Sequence, residues 1–97
     1  MAAIVEYKDG KTGVRFSLDS ALVRIGRGAE NDIGIDDELI SKSHAVIERV
    51  RINDDSELCR YTVRDLDSTN GTYVNNEKVE QASLWNGDLL RIGMSFF

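Results

Sequence analysis

Proline is absent from the chain, and with it any proline-rich linker. No low-complexity tract and no repeat at a solenoid period takes its place. Cys59 is the one cysteine, so no internal disulfide can form, and His44, the one histidine, cannot help it build a structural zinc site. Long apolar runs are missing too. Nothing approaches the ~18–20 residues that a membrane span requires, and no membrane insertion is expected. The start, Met1-Ala2-Ala3-Ile4-Val5-Glu6-Tyr7, carries no basic residue and reaches a carboxylate at its sixth position, which is not the pattern of a secretion signal. A lone thiol without such a signal fits a reducing, cytoplasmic setting. Positive charge is in deficit, with 12 Lys and Arg against 17 Asp and Glu, a net charge of −5. A general nucleic-acid binder needs a basic footprint to release phosphate counterions, so no nucleic-acid partner is expected. A local anion site survives this argument, because overall charge weakens long-range steering without preventing a few cations and amides from converging.

The 97 residues suffice for one domain and not for two. With 41% hydrophobic and 30% charged residues, the composition is globular rather than disordered. The chain is organised as many short extended runs separated by turn residues. Val14-Arg15-Phe16-Ser17-Leu18 and Cys59-Arg60-Tyr61-Thr62-Val63-Arg64 alternate apolar with polar, the period-two signature of half-buried strands. Further strands are expected at 4–7, 22–25, 32–35, 44–52, 72–74, 77–79 and 88–92. Lys8-Asp9-Gly10-Lys11, Asn53-Asp54-Asp55-Ser56 and Asn75-Asn76 are turn chemistry. Helix signals are poor. The best stretch, 79–86, is short and closed by Gly87, and 36–44 reads as a loop with at most one turn. About ten to eleven short strands without a long helix predict an all-β, antiparallel β-sandwich whose loops at one end carry function.

Three loop segments concentrate polar chemistry. Ile25-Gly26-Arg27-Gly28 presents an arginine between two glycines at a strand end; taken alone it is a surface turn. Ser41-Lys42-Ser43-His44 offers two hydroxyls, an ammonium and an imidazole. A hydrolase with His44 as base and Ser41 or Ser43 as nucleophile is disfavoured, since no glycine pattern of a nucleophile elbow surrounds either serine. His44, leading into an apolar strand, reads as a structural hydrogen-bonding residue. In 65–72 the spacing of Asp65 and Asp67 hints at a calcium loop. Its fifth, sixth and twelfth positions would be Thr69, Asn70 and Asn76, and all three fail the pattern. The segment is longer than a minimal Asn-Gly hairpin needs, and the surplus is hydroxyls and an amide.

In this order the segments resemble the forkhead-associated (FHA) domain family: Gly26-Arg27, then Ser41-x-x-His44 fourteen residues on, then Ser68-Thr69-Asn70-Gly71-Thr72, then Asn86-Gly87-Asp88. The likeness extends to Asn31-Asp32-Ile33, Asp65-Leu66-Asp67-Ser68 and Tyr73-Val74-Asn75, and runs from about Leu22 to Gly93. The resemblance implies an eleven-stranded sandwich that recognises phosphothreonine peptides without catalysis, cofactor or metal, in Ser/Thr kinase signalling. It implies Arg27 as the phosphate-binding arginine, Ser41 as a hydroxyl donor to the phosphate, and Lys42 near the phosphate. Thr69 becomes a second phosphate or backbone contact, and Asn70 the residue that holds the peptide main chain. Gly26, His44 and Gly71 then shape and brace the loops. A phospho-independent interaction or assembly domain on the same fold is the alternative, disfavoured because Arg27, Ser41 and Asn70 are all present. The whole chain, 1–97, is expected to be a single monomeric module. At 74–77 asparagine stands where the family usually has glycine. The stop at Phe96-Phe97, where the last strand should begin, is read either as a short edge strand or as excision from a longer protein.

Overall fold

The computed structural model describes residues 3–8, 10–18, 20–51 and 59–97. Asp9 of the first turn, Ile52 and the whole turn expected at 53–56 lie outside the described residues.

Eleven strands follow one another: β1 (Ala3–Lys8), β2 (Lys11–Ser17), β3 (Leu22–Gly26), β4 (Ile33–Gly34), β5 (Ala45–Arg51), β6 (Cys59–Asp65), β7 (Thr72–Val74), β8 (Glu77–Val79), β9 (Gln81–Leu84), β10 (Leu90–Ile92) and β11 (Ser95–Phe96). They form two sheets, one ordered β2-β1-β11-β10-β7-β8 and the other β4-β3-β5-β6-β9. Pairing is antiparallel except between β3 and β4, which run parallel with Ile25 beside Ile33. The sandwich closes because each sheet turns an apolar face inward. Val23, Ile25, Ile47 and Val63 from one sheet meet Val74, Leu90 and Ile92 from the other. Ile25, Ile33, Ile40, Ile47 and Ile92 are fully buried, and burying each such side chain contributes about 1.5–3 kcal/mol.

Four details differ from the sequence reading. The stretch 79–86 is not helical: Gln81–Leu84 is a strand paired with β6, with Ala82 beside Val63 and Leu84 beside Tyr61. That segment is too short for a helix to bury a stripe, whereas two alternate side chains suffice for a strand. β11 is not an edge strand but lies between β1 and β10. Val14, on the apolar side of the alternation, is 57% exposed, because β2 is the sheet's edge and a register shift interrupts its pairing with β1 between Val5 and Tyr7. His44 precedes β5 rather than belonging to it.

The asparagines at 75 and 76 have φ of 51° and 71°, the two left-handed residues of a tight hairpin turn joining β7 to β8. Asparagine tolerates this conformation. Asn75 also donates from Nδ2 to Asp88 and accepts from the Leu89 N–H, both at 3.0 Å. A glycine could supply the turn but not those two bonds.

Candidate functional site

Three loops meet at one end of the sandwich: 27–32 after β3, 35–44 between β4 and β5, and 66–71 between β6 and β7. Backbone bonds bring the first two together. The Arg27 N–H donates to the Ser41 carbonyl at 3.0 Å, and the Ile35 N–H to that of Gly26 at 3.0 Å. Asn31 adds a side-chain bridge, donating from Nδ2 to the Lys42 carbonyl at 2.9 Å and to that of Gly28 at 3.3 Å. Gly26 makes the approach possible, since a Cβ there would run into the Lys42 carbonyl oxygen and stand 2.8 Å from the Asn31 amide.

His44 ties all three loops to the sandwich. It is fully buried. Its N–H donates to the Ile25 carbonyl at 3.0 Å, and its carbonyl accepts from the Leu66 N–H at 2.9 Å. The Ser41 N–H donates to Nδ1 at 3.1 Å, and Nε2 lies 2.8 Å from the Gly71 carbonyl oxygen. That network assigns the proton to Nε2. Both ring nitrogens are therefore engaged with the backbone, and neither is available to take a proton from Ser41.

The third loop is shaped by Asp65. Its carboxylate accepts from the Ser68 hydroxyl at 2.5 Å, the Ser68 N–H at 3.1 Å and the Thr72 hydroxyl at 2.7 Å. Ser68 Oγ in turn accepts from the Gly71 N–H at 3.0 Å. Burial alone would raise the Asp65 pKa, but the donors from Ser68 and Thr72 outweigh it and hold the carboxyl below its ordinary value. Asp37 is likewise lowered. Burial pushes it up, and the Leu39 and Met94 N–H groups, each 2.9 Å away, with the Ser95 hydroxyl pull it further down. Gly71 adopts φ +85°, a conformation that side chains rarely take.

On this frame the sequence-derived site residues come together. Ser41 Oγ accepts the Thr69 N–H at 3.1 Å, and the hydroxyl retains its own proton as a donor. Asn70 donates from Nδ2 to the Leu39 carbonyl at 2.8 Å, leaving its amide oxygen for another group. Arg27, Lys42, Thr69 and Asn70 are exposed, Ser41 is half-buried, and Gly26, His44 and Gly71 lie buried beneath them. The surface so formed offers a guanidinium, an ammonium, a hydroxyl and an amide. It is a set of donors suited to an anion, without a base. A groove elsewhere on the described surface, lined by Tyr61, Leu84, Trp85 and Phe97 among others, includes none of Arg27, Ser41, Lys42, Thr69 and Asn70. Asn31, Asp65 and Ser68 are the contributors to which the sequence reading gave no role. Their signal was the Asn31-Asp32-Ile33 and Asp65-x-x-Ser68 spacing, without a hint of which backbone groups they would bind.

The FHA domain model matches residues 23–93, which span all three loops. The chain belongs to the FHA domain family. It is 40% identical over 92 residues to the glycogen accumulation regulator GarA of Mycobacterium tuberculosis, covering 95% of this chain and 52% of that protein. It is 39% identical over 92 residues to the oxoglutarate dehydrogenase inhibitor of Corynebacterium jeikeium, covering 95% and 59%. This FHA domain thus spans about half the length of the curated relatives it matches. It superposes on Mycobacterium tuberculosis EmbR in complex with a low-affinity phosphopeptide, with a TM-score of 0.79 and 32% identity, covering 99% of this chain and 24% of that one. Among the described residues, no helix is long and apolar enough to cross a membrane.

Proposed function

We propose that the three loops bind phosphothreonine peptides, and that the chain is a non-catalytic recognition module reading the output of a Ser/Thr kinase in the cytoplasm. The observation that carries this is the pairing of Arg27 with Ser41. One backbone bond fixes the exposed arginine beside the serine. A second, from the Thr69 N–H to Ser41 Oγ, ties the hydroxyl to the third loop, and the hydroxyl keeps its own proton to donate. A phosphomonoester brings about −1.5 to −2 charge and three acceptor oxygens. Arg27 grips two of these with its planar fork while Ser41 supplies a neutral donor. Lys42 adds charge, Thr69 a further contact, and Asn70 holds the peptide main chain. Charge-assisted bonds contribute roughly 1.5–3 kcal/mol each. Association costs about 4–15 kcal/mol, so contacts flanking the phosphate must add to the affinity.

The test is a fluorescence-polarisation titration with one peptide in phosphothreonine, phosphoserine, aspartate and unmodified forms. Phosphothreonine should bind and phosphoserine much more weakly. Aspartate should fail, because a planar carboxylate with one charge cannot satisfy donors placed around a tetrahedral dianion. Equal binding of the unmodified peptide would transfer the function to phospho-independent association.

A further inference from the structure

The outer face of the six-stranded sheet carries a row of aromatic and cationic side chains that the phosphate site does not use. The register places Tyr7 beside Phe96, Phe96 beside Arg91, Arg91 beside Tyr73, and Tyr73 beside Lys78. Phe97, Leu90, Ile92, Thr72 and Val74, the chain neighbours of Phe96, Arg91 and Tyr73, are buried, so these three face out by strand alternation, and direct pairing puts Tyr7 and Lys78 on the same face. Arg91 lies over the Tyr73 ring at 4.0 Å from its centroid, and Tyr7 is 46% exposed. The five positions hold no carboxylate, although the chain carries a net charge of −5. Neither Arg91 nor Lys78 has an ion-pair partner among the described residues.

The row is continuous with the candidate site. A Cβ at Gly71 would stand 2.9 Å from Lys78 Cε and 3.4 Å from Tyr73 Cε1, so the cationic end of the row lies directly against the loop that carries Asn70. Four strand spacings separate Lys78 from Tyr7, about 19 Å, the reach of roughly six extended residues.

We propose that this row is a second contact surface for the phosphorylated partner. It receives a segment of alternating acidic and apolar or aromatic residues that leaves the phosphate site past Asn70 and crosses the sheet. Aromatic rings and stacked arginine favour apolar and aromatic side chains, and the two unpaired cations favour carboxylates. Tethering through the phosphothreonine raises the local concentration of the segment, which lets weak contacts add to affinity. A free single-stranded nucleic acid would meet the same rings, but it has no phosphothreonine to tether it and brings a charge at every unit, against every second residue of the segment, to an acidic protein. The inference rests on the phosphopeptide reading.

The experiment compares a phosphothreonine heptapeptide with two extended versions. One carries a ten-residue tail of alternating Glu and Phe or Leu, the other a Gly/Ser/Asn tail. Calorimetry at low salt should show at least a tenfold gain for the acidic-aromatic tail on the native protein and none for the neutral tail. The Tyr7→Ser/Arg91→Glu variant should lose that gain while binding the heptapeptide within twofold of native. Arg60→Glu, on the other sheet, should keep it. A gain that survives in the double variant, or that the neutral tail also gives, overturns the proposal. Two controls test other occupants: a labelled oligouridine, and sedimentation at high protein concentration. Binding or dimerisation that the double variant abolishes would reassign the row to nucleic acid or to a second copy. If the heptapeptide itself fails to bind, the phosphate reading falls. The unphosphorylated tail peptide, measured alone, then decides the row: binding lost in the double variant supports it, and no binding overturns it.

Discussion

Arg27 and His44 are separated by burial, and that separation dictates opposite behaviour on substitution. Arg27 is exposed, and the hydrogen bond that places it comes from its backbone. Arg27→Ala should therefore leave stability within about 0.5 kcal/mol of native, as for ordinary surface changes, while phosphopeptide binding disappears. Arg27→Lys should recover little, since a point charge does not replace a fork. His44 is buried with both nitrogens bonded. Removing the ring strands the Ser41 N–H and the Gly71 carbonyl, at about 1–3 kcal/mol. His44→Ala should lose stability and binding together. Melting curves and titrations on both variants check the pair, and full stability with lost binding in His44→Ala would make His44 a ligand contact instead. At this scale Arg27 between two glycines read alone as a surface turn, and it took its place in a candidate site only from the order of all the segments together. The reading of His44 as a structural hydrogen-bonding residue, by contrast, agrees with its burial and its two bonded nitrogens. The sequence was silent on Asn31 and Asp65, whose importance lies in which carbonyls and hydroxyls the fold brings to them.

The loops act as elements because their ties cross from one to the next. Gly26→Ala would push a Cβ into the Lys42 carbonyl and the Asn31 amide, and one of the two loops must shift. Destabilisation of about 1–3 kcal/mol is expected, with weakened binding although no contact residue has changed. Chemical denaturation and the same peptide titration measure both. The Asp65 knot contributes to the acid limit, as Asp37 does. The folded pKa of Asp65 is depressed below the ordinary aspartate value of about 3.9. Its stabilisation is thus fully present above that value and is lost as pH falls through the lower folded pKa. Asp65→Asn should flatten the acid limb of a pH–stability curve measured below about pH 4, and an unchanged limb would contradict the assignment. The strands were legible from period-two alternation where it was clean, as in β6. Alternation failed at β9, where four residues with turn chemistry behind them mimic a frayed helix. It also could not see that β11 completes the middle of a sheet, because sheet order depends on contacts far apart in the chain.

Across the whole molecule the charges are unevenly placed. Glu30, Asp36 and Glu38 are exposed on the loops beside Arg27 and Ser41, whereas Asp32 and Asp37 accept backbone N–H groups. The resulting field should disfavour acids immediately flanking the phosphothreonine and favour Lys and Arg by about 1 kcal/mol, fading with salt. A phosphopeptide library selecting acidic flanks would refute this. Binding should also weaken between about pH 7 and pH 5.5, as the phosphate takes up its second proton near pH 6. The depressed Asp37 and Asp65 remain ionised throughout that window, so the carboxylate ties of the loops persist while the ligand changes charge. Circular dichroism recorded alongside tracks the fold. The most direct test of the central claim is isothermal calorimetry of one peptide, with and without its threonine phosphate, against the native chain and Arg27→Ala. Heat is expected only for the phosphorylated peptide on the native chain, with both proteins melting at nearly the same temperature. Equal heats from the two peptides on the native chain, or undiminished binding by Arg27→Ala, would contradict that claim.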